Sequence, residues 1–188
     1  MERLMKHAAW ISGALTLLFV LLRAWLHRGI LLTAAITAGT VFYHIAVRLL
    51  AGALFDRFPD SRIDCGRRWY RVSAQEQALY EKLHVKRWKG RLPTYDAALF
   101  DPACRSWADI ARAMCRSEKI HEVDIALSFV PLAASRWFGA FPAFLVTSVL
   151  AALCDLTFVI VQRCNRPRVL RLAAREEAKK KAPAKPEP

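Results

Sequence analysis

The sequence predicts an all-α membrane protein, with about four membrane helices in two hairpins and a helical cytoplasmic, interfacial segment between them. Three observations predict it. Apolar and charged residues are blocked rather than interleaved: among acidic residues, lysine, arginine and histidine, residues 7–22 carry only His7, residues 29–55 only His44 and Arg48, and residues 137–162 only Asp155. Roughly 20 such residues span the ~30 Å hydrocarbon core of a bilayer. Across 188 residues, a hydrophobic fraction of 55% coexists with a net charge of +13, a pairing that a soluble globule would reach only by interleaving the two. Finally, the basic excess gathers in the middle of the chain and at its end. The positive-inside bias then puts both termini and the middle segment on the cytoplasmic side of a multi-pass protein.

The first helix covers about 7–26. Arg3 and Lys6 precede it as in a signal peptide, but its exit, Leu22-Arg23-Ala24-Trp25-Leu26, lacks a small-x-small cleavage pattern. A second apolar run follows at once, so it reads as a retained anchor. The second helix covers about 29–54, after His27-Arg28-Gly29, and residues 1–55 form an N-terminal transmembrane hairpin. Residues 56–116 form a basic interfacial segment punctuated by Pro59, Pro93 and Pro102. Within it the spacing predicts a helix over 73–89, with Ser73 as cap and Glu76 three residues on as its capping-box partner. A third helix is expected to start near Ser106 or Asp109. Its apolar end, 125–134, is only about 15 Å long, so it should enter the bilayer obliquely. A turn near 135–142 leads to a fourth helix, about 140–162, which Pro167 should stop. Residues 117–172 thus hold the helix richest in titratable groups, the second hairpin and a basic exit. Residues 173–188 read as a disordered basic tail, whose lysines can touch anionic membrane lipid at about 1 kcal/mol each.

The charge does not indicate nucleic acid, because no zinc-finger, RNP or basic-zipper pattern accompanies it. The five cysteines, Cys65, Cys104, Cys115, Cys154 and Cys164, are odd in number and lack CxxC spacing. Disulfides are not expected on a cytoplasmic face.

The exit Phe158–Leu172 (FVIVQRCNRPRVLRL) puts Arg163, Arg166 and Arg168 with Gln162 and Asn165 at headgroup height, where an anionic lipid or a donor phosphate could sit. Arg116-Ser117-Glu118-x-x-His121-Glu122-x-Asp124 is the densest titratable cluster. Glu118 and His121 lie about 60° apart on a helix face. A carboxylate beside an imidazole can fix its tautomer and raise its basicity, as needed to strip a proton from a hydroxyl nucleophile. The bland alternative is an interfacial helix with solvated charges. Trp88 sits among Lys86, Arg87 and Lys89, a composition suited to headgroups or phosphate. Asp155 is a carboxylate inside an apolar run, where acids are costly and usually paired or functional; His44 and Arg48 are its candidate partners. Glu81-x-x-His84 repeats the Glu118/His121 spacing, as in di-iron bundles, but the further glutamates such a site needs are not in place. Cys115, three residues before Glu118, could carry an acyl group, though a buried idle thiol is the commoner case.

Three segments together resemble one family, the glycosyl-4,4′-diaponeurosporenoate acyltransferases of bacterial carotenoid synthesis. They are Val85-Lys86-Arg87-Trp88-Lys89, Arg116-x-Glu118-x-x-His121, and Ile160-Val161-Gln162-Arg163-x-Asn165-Arg166-Pro167-Arg168, in the family's order and at similar spacing. The resemblance runs from about Arg57 to Leu172. The chain departs from the family at Glu122, usually an aromatic, and at Cys164, usually a tyrosine. The resemblance implies an O-acyltransferase of the bacterial cell membrane that esterifies a sugar hydroxyl of a glycosylated carotenoid or other glycolipid. Its donor would be an acyl-coenzyme A or an acyl-carrier protein, with no cofactor and no metal. His121 would be the general base and Glu118 its orienting partner. Arg116, Lys89, Arg163, Arg166 and Arg168 would hold donor phosphate or the developing oxyanion. Trp88 would anchor the interfacial segment, with Gln162 and Asn165 holding it. Two other classes are weighed beside it: a membrane scaffold whose basic face binds lipid, and a dimetal oxidase.

Overall fold

A computed structural model describes residues 2–59, 63–94 and 96–181. Among them all regular structure is helical. The helices are α1 (Glu2–Leu26), α2 (Gly29–Phe55), α3 (Ala74–Lys82), α4 (Val85–Trp88), α5 (Trp107–Leu127), α6 (Pro131–Phe138) and α7 (Phe141–Lys181), with short 3₁₀ turns at Arg68–Tyr70, Lys89–Arg91 and Ala97–Phe100. The chain divides into two compact units, each built from two stretches. The first comprises residues 1–58 and 120–157, the second residues 59–119 and 158–188.

Three helices, α1, α2 and α7, are long and apolar enough to cross a membrane, not the four expected. The missing one is α5 with α6. α5 stops at Leu127, and Pro131 starts an eight-residue helix of its own. Pro131 has no N–H to donate to the Leu127 carbonyl, which favours the break that separates α5 from α6 there. That carbonyl is satisfied instead by the Val130 N–H at 3.1 Å and the Tyr43 hydroxyl at 2.9 Å.

Pro167 does not end the last helix, contrary to expectation. α7 runs through it to Lys181, so residues 173–181 are helical rather than a tail; residues 182–188 lie outside the described residues. A proline inside a helix costs about 3 kcal/mol. Contacts of the second unit on both sides of it offset that cost. Arg163 and Arg166 are held by Glu118 before the proline, and beyond it the Glu176 carboxylate accepts the Trp107 N–H at 3.1 Å. α7 is 41 residues long, and its basic side chains all follow Gln162.

In the first unit, α1 and α2 pair through small residues. A Cβ on Gly13 would stand 3.2 Å from the Phe42 ring and one on Gly39 3.4 Å from Thr16. Ala9, Ser12, Ala35 and Ala51 are buried, the close approach that small residues permit between membrane helices. The outer faces expose large apolar side chains such as Trp10, Leu17, Ile30 and Leu150, the surface expected where lipid is the solvent. Along α7, Phe144, Ser148, Ala152 and Asp155 recur at helical spacing and are buried.

In the second unit the Ser73/Glu76 capping box starts α3 as the spacing predicts. The helix expected over 73–89 is nevertheless broken. α3 ends at Lys82 with Leu83 as its C-cap, and His84 takes a left-handed conformation, φ 49°, before α4 begins. Ser106 Oγ accepts the Asp109 N–H at 3.1 Å and so caps α5. Ile110, Ala111, Ala113, Met114 and Cys115 form its buried face.

Candidate functional site

The first unit holds a buried polar cluster in an otherwise apolar setting. His121 and Asp124 come from α5, Asp155 from α7 and Arg48 from α2. His121 Nδ1 lies 3.1 Å from Asp155 Oδ1, and the Arg48 guanidinium pairs with the other oxygen of Asp155. Arg48 also donates to the Ala151 carbonyl at 3.2 Å and to the His44 carbonyl. Asp155 and Asp124 are each only 1% exposed, so this is a site where a charge must be compensated rather than solvated. The Nδ1–H tautomer of His121, donating to Asp155, leaves Nε2 as the basic nitrogen. Asp155 thus stands to His121 as an orienting carboxylate, and Arg48 fixes the carboxylate in turn.

Asp124 Oδ1 is buried and makes no hydrogen bond. Two carboxyl groups face one guanidinium here, and His121, Asp124 and Asp155 each offer a cation a ligand atom, all within 4.8 Å of one another. Glu81 and His84 are exposed, and His84 Nδ1 lies 2.8 Å from the Lys82 carbonyl, so the second Glu-x-x-His pattern does not face a core.

The second unit holds the rest of the predicted residues, around Glu118. This carboxylate is fully buried. It accepts Arg163 Nη1–H at 2.6 Å on one oxygen and pairs with Arg166 on the other. Both oxygens of Glu118, the residue expected from the one-turn spacing to orient His121, are thus held by arginines of this unit. Arg163 donates to four acceptors among the described residues. Besides Glu118 they are Glu76 Oε1 at 2.9 Å, the Trp69 carbonyl at 3.0 Å and the Arg71 carbonyl at 3.2 Å. Arg166 is fully buried, its guanidinium 5.2 Å from the Tyr70 ring centre and 3.6 Å from Cys115 Sγ. Arg163 is thus occupied within this unit, whereas Arg166 uses Nη1 alone and keeps Nε and Nη2 buried without a hydrogen-bond partner. Burial raises the Glu76 carboxyl, but the Ser73 N–H and Arg163 outweigh it and hold the group below its ordinary range.

The remaining predicted residues tie segments of this unit together. Lys89 donates to Asn165 Oδ1, Gln162 Nε2 to Ser117 Oγ at 3.2 Å, and Trp88 Nε1 to the Leu83 carbonyl at 3.0 Å. Arg116 is half-buried and Arg168 exposed. Lys119 Nζ stands 3.9 Å from the centre of the Trp69 ring, a cation–π contact.

A family description, glycosyl-4,4′-diaponeurosporenoate acyltransferase, matches residues 66–175, more than half of the chain. The chain belongs to this family. It is accordingly an enzyme that transfers acyl groups. No curated protein and no solved structure matches it. The matched span contains His121, Asp124, Asp155 and the whole Glu118 network, whereas Arg48 comes from outside it.

Sequence reasoning placed Asp124 in the titratable cluster with His121 but gave it no role, although their i, i+3 spacing was a usable signal. It found the cap role of Glu76 but not its pairing with Arg163, because nothing local links residues 87 positions apart.

Proposed function

We propose that the protein is an O-acyltransferase of the bacterial cell membrane, multi-pass, with termini and middle segment cytoplasmic. It would esterify a hydroxyl of a glycosylated carotenoid or related glycolipid with a fatty acyl chain from a coenzyme A or carrier-protein thioester. Family membership supports the acyl transfer, and the long apolar helices support the membrane setting. The observation that carries the mechanism is the chain His121–Asp155–Arg48.

In this mechanism His121 Nε2 takes the proton of the acceptor hydroxyl as its oxygen attacks the thioester carbonyl. Asp155 holds Nδ1–H and stabilises the imidazolium that forms, in the role an aspartate plays in a nucleophile–His–Asp triad. Collapse of the tetrahedral intermediate breaks the carbon–sulfur bond, and the imidazolium returns its proton to the leaving thiolate. Glu118 braces Arg163 and Arg166 instead of touching the reaction. Arg168, being exposed, remains a contact for donor phosphate.

The test is ester formation by membranes containing the protein, given a labelled acyl thioester and a glycosylated acceptor. His121→Ala should lower turnover by about two or more decades at unchanged protein level. Wild-type turnover in that variant would remove His121 from the chemistry. Stoichiometric divalent metal in active, purified protein would instead replace the base by a metal centre on His121, Asp124 and Asp155.

A further inference from the structure

We propose that Cys65 and Cys115 form a reversible dithiol–disulfide pair, an oxidisable latch in the second unit that acyl transfer does not use. Fifty positions apart in sequence, the two sulfurs lie 2.8 Å from each other, and both are free thiols here. A bond requires them to close to about 2.05 Å, a shift of about 0.8 Å. No other pair among the five cysteines is in such contact among the described residues.

The two thiols differ in a way that sets the order of events. Cys115 is fully buried on α5, whereas Cys65 is half-buried and lines an open depression of about 360 Å³ beside Arg112 and Glu177. The Cys115 thiol donates to Cys65 Sγ and so favours the Cys65 thiolate, aided by Arg166 and Arg112. The same contact and burial push Cys115 up. Cys65 is then the attacking sulfur and Cys115 the resolving one.

The reaction needs a two-electron oxidant, and a small disulfide such as oxidised glutathione supplies it. The Cys65 thiolate attacks one glutathione sulfur and expels a glutathione thiolate, giving a mixed disulfide. Cys115 attacks Cys65 Sγ, breaks its bond to glutathione and passes its proton to the departing glutathione sulfur, while the first glutathione thiolate takes its proton from solvent. Two protein thiols are oxidised and one glutathione disulfide becomes two thiols.

The location gives the latch something to hold. Cys65 lies three residues before the Arg68–Tyr70 turn, and the Trp69 and Arg71 carbonyls accept from Arg163. Cys115 lies one turn before Glu118 and touches Arg166. The disulfide would fasten that turn to the helix carrying the Glu118 network, and would raise the thermal midpoint of the oxidised protein.

The experiment treats the full-length protein in detergent with oxidised glutathione, then alkylates remaining thiols and maps them by peptide mass spectrometry. The expected product is a Cys65–Cys115 cross-link with no retained glutathione, reversed by dithiothreitol. Cys115→Ser should stop at the mixed disulfide and keep glutathione on Cys65, and Cys65→Ser should leave Cys115 reduced. The proposal is overturned if wild type keeps glutathione on Cys65. It is equally overturned if both thiols stay open to alkylation at oxidant levels that modify Cys104.

Discussion

Replacing Glu118 by Gln separates a structural role from a catalytic one. The side chain keeps its size but loses the charge shared by two guanidiniums. Arg163 retains Glu76 and two backbone carbonyls, so it is still compensated. Arg166 is not: it is fully buried, and Glu118 is the one acidic group with which it pairs among the described residues. Removing one member of a fully buried ion pair costs about 3–5 kcal/mol, because the other charge stays behind without compensation. For a chain of this size each kcal/mol moves the midpoint by about 2–4 °C. The fall should therefore be about 6–20 °C, read by far-UV circular dichroism in detergent. Turnover of the surviving folded fraction, measured well below the midpoint, should stay within a few-fold of wild type.

A double variant sharpens the reasoning. Glu118→Met with Arg166→Met removes both charges, and a buried pair replaced by apolar residues is often neutral or stabilising. The double variant should melt above Glu118→Gln, giving a favourable coupling that distant sites would not show. An unchanged midpoint in Glu118→Gln, together with turnover lowered a hundredfold, would refute this account and return Glu118 to the chemistry.

Two further perturbations test the second unit. Glu76 has its carboxyl held below the ordinary 4.5 in the folded state, so its contribution is fully present above about pH 4.5 and is lost as pH falls through the lowered value. The midpoint of wild type should drop in that acid window more steeply than that of Glu76→Gln, in parallel melts across pH. His84 is an exposed non-glycine residue at φ 49°; His84→Gly should stabilise by about 1 kcal/mol, seen as a higher urea midpoint, and a lower one would mean that its contact with the Lys82 carbonyl outweighs the backbone strain.

The helices were legible because their signals are local. Uncharged runs marked α1, α2 and the apolar half of α7, and Ser73 with Glu76 marked the start of α3. Where the reading failed, a local rule met a contact from far along the chain. Pro167 should stop a helix, yet α7 continues because Arg163, Arg166 and Glu176 fasten it on either side. The reverse holds at Pro131, where the apolar run hid a helix break that the proline itself announces.

The candidate site shows the same limit in its chemistry. One-turn spacing brings Glu118 and His121 onto neighbouring parts of one helix, and on that basis alone they form a dyad. Spacing says what can meet; it does not say which partner wins. A buried carboxylate offered two guanidiniums gains charge-assisted hydrogen bonds on both oxygens, each roughly twice as strong as a neutral one. Both oxygens of Glu118 are taken in that way by Arg163 and Arg166. The imidazole of His121 lies against a different carboxylate, the acid inside the apolar run of α7, and Arg48 pairs with that acid. The acid of the apolar run in α7, the lone arginine of α2 and the histidine are therefore one electrostatic problem with one solution, and the base we propose is read from the paired charges of the two apolar runs rather than from the neighbouring glutamate.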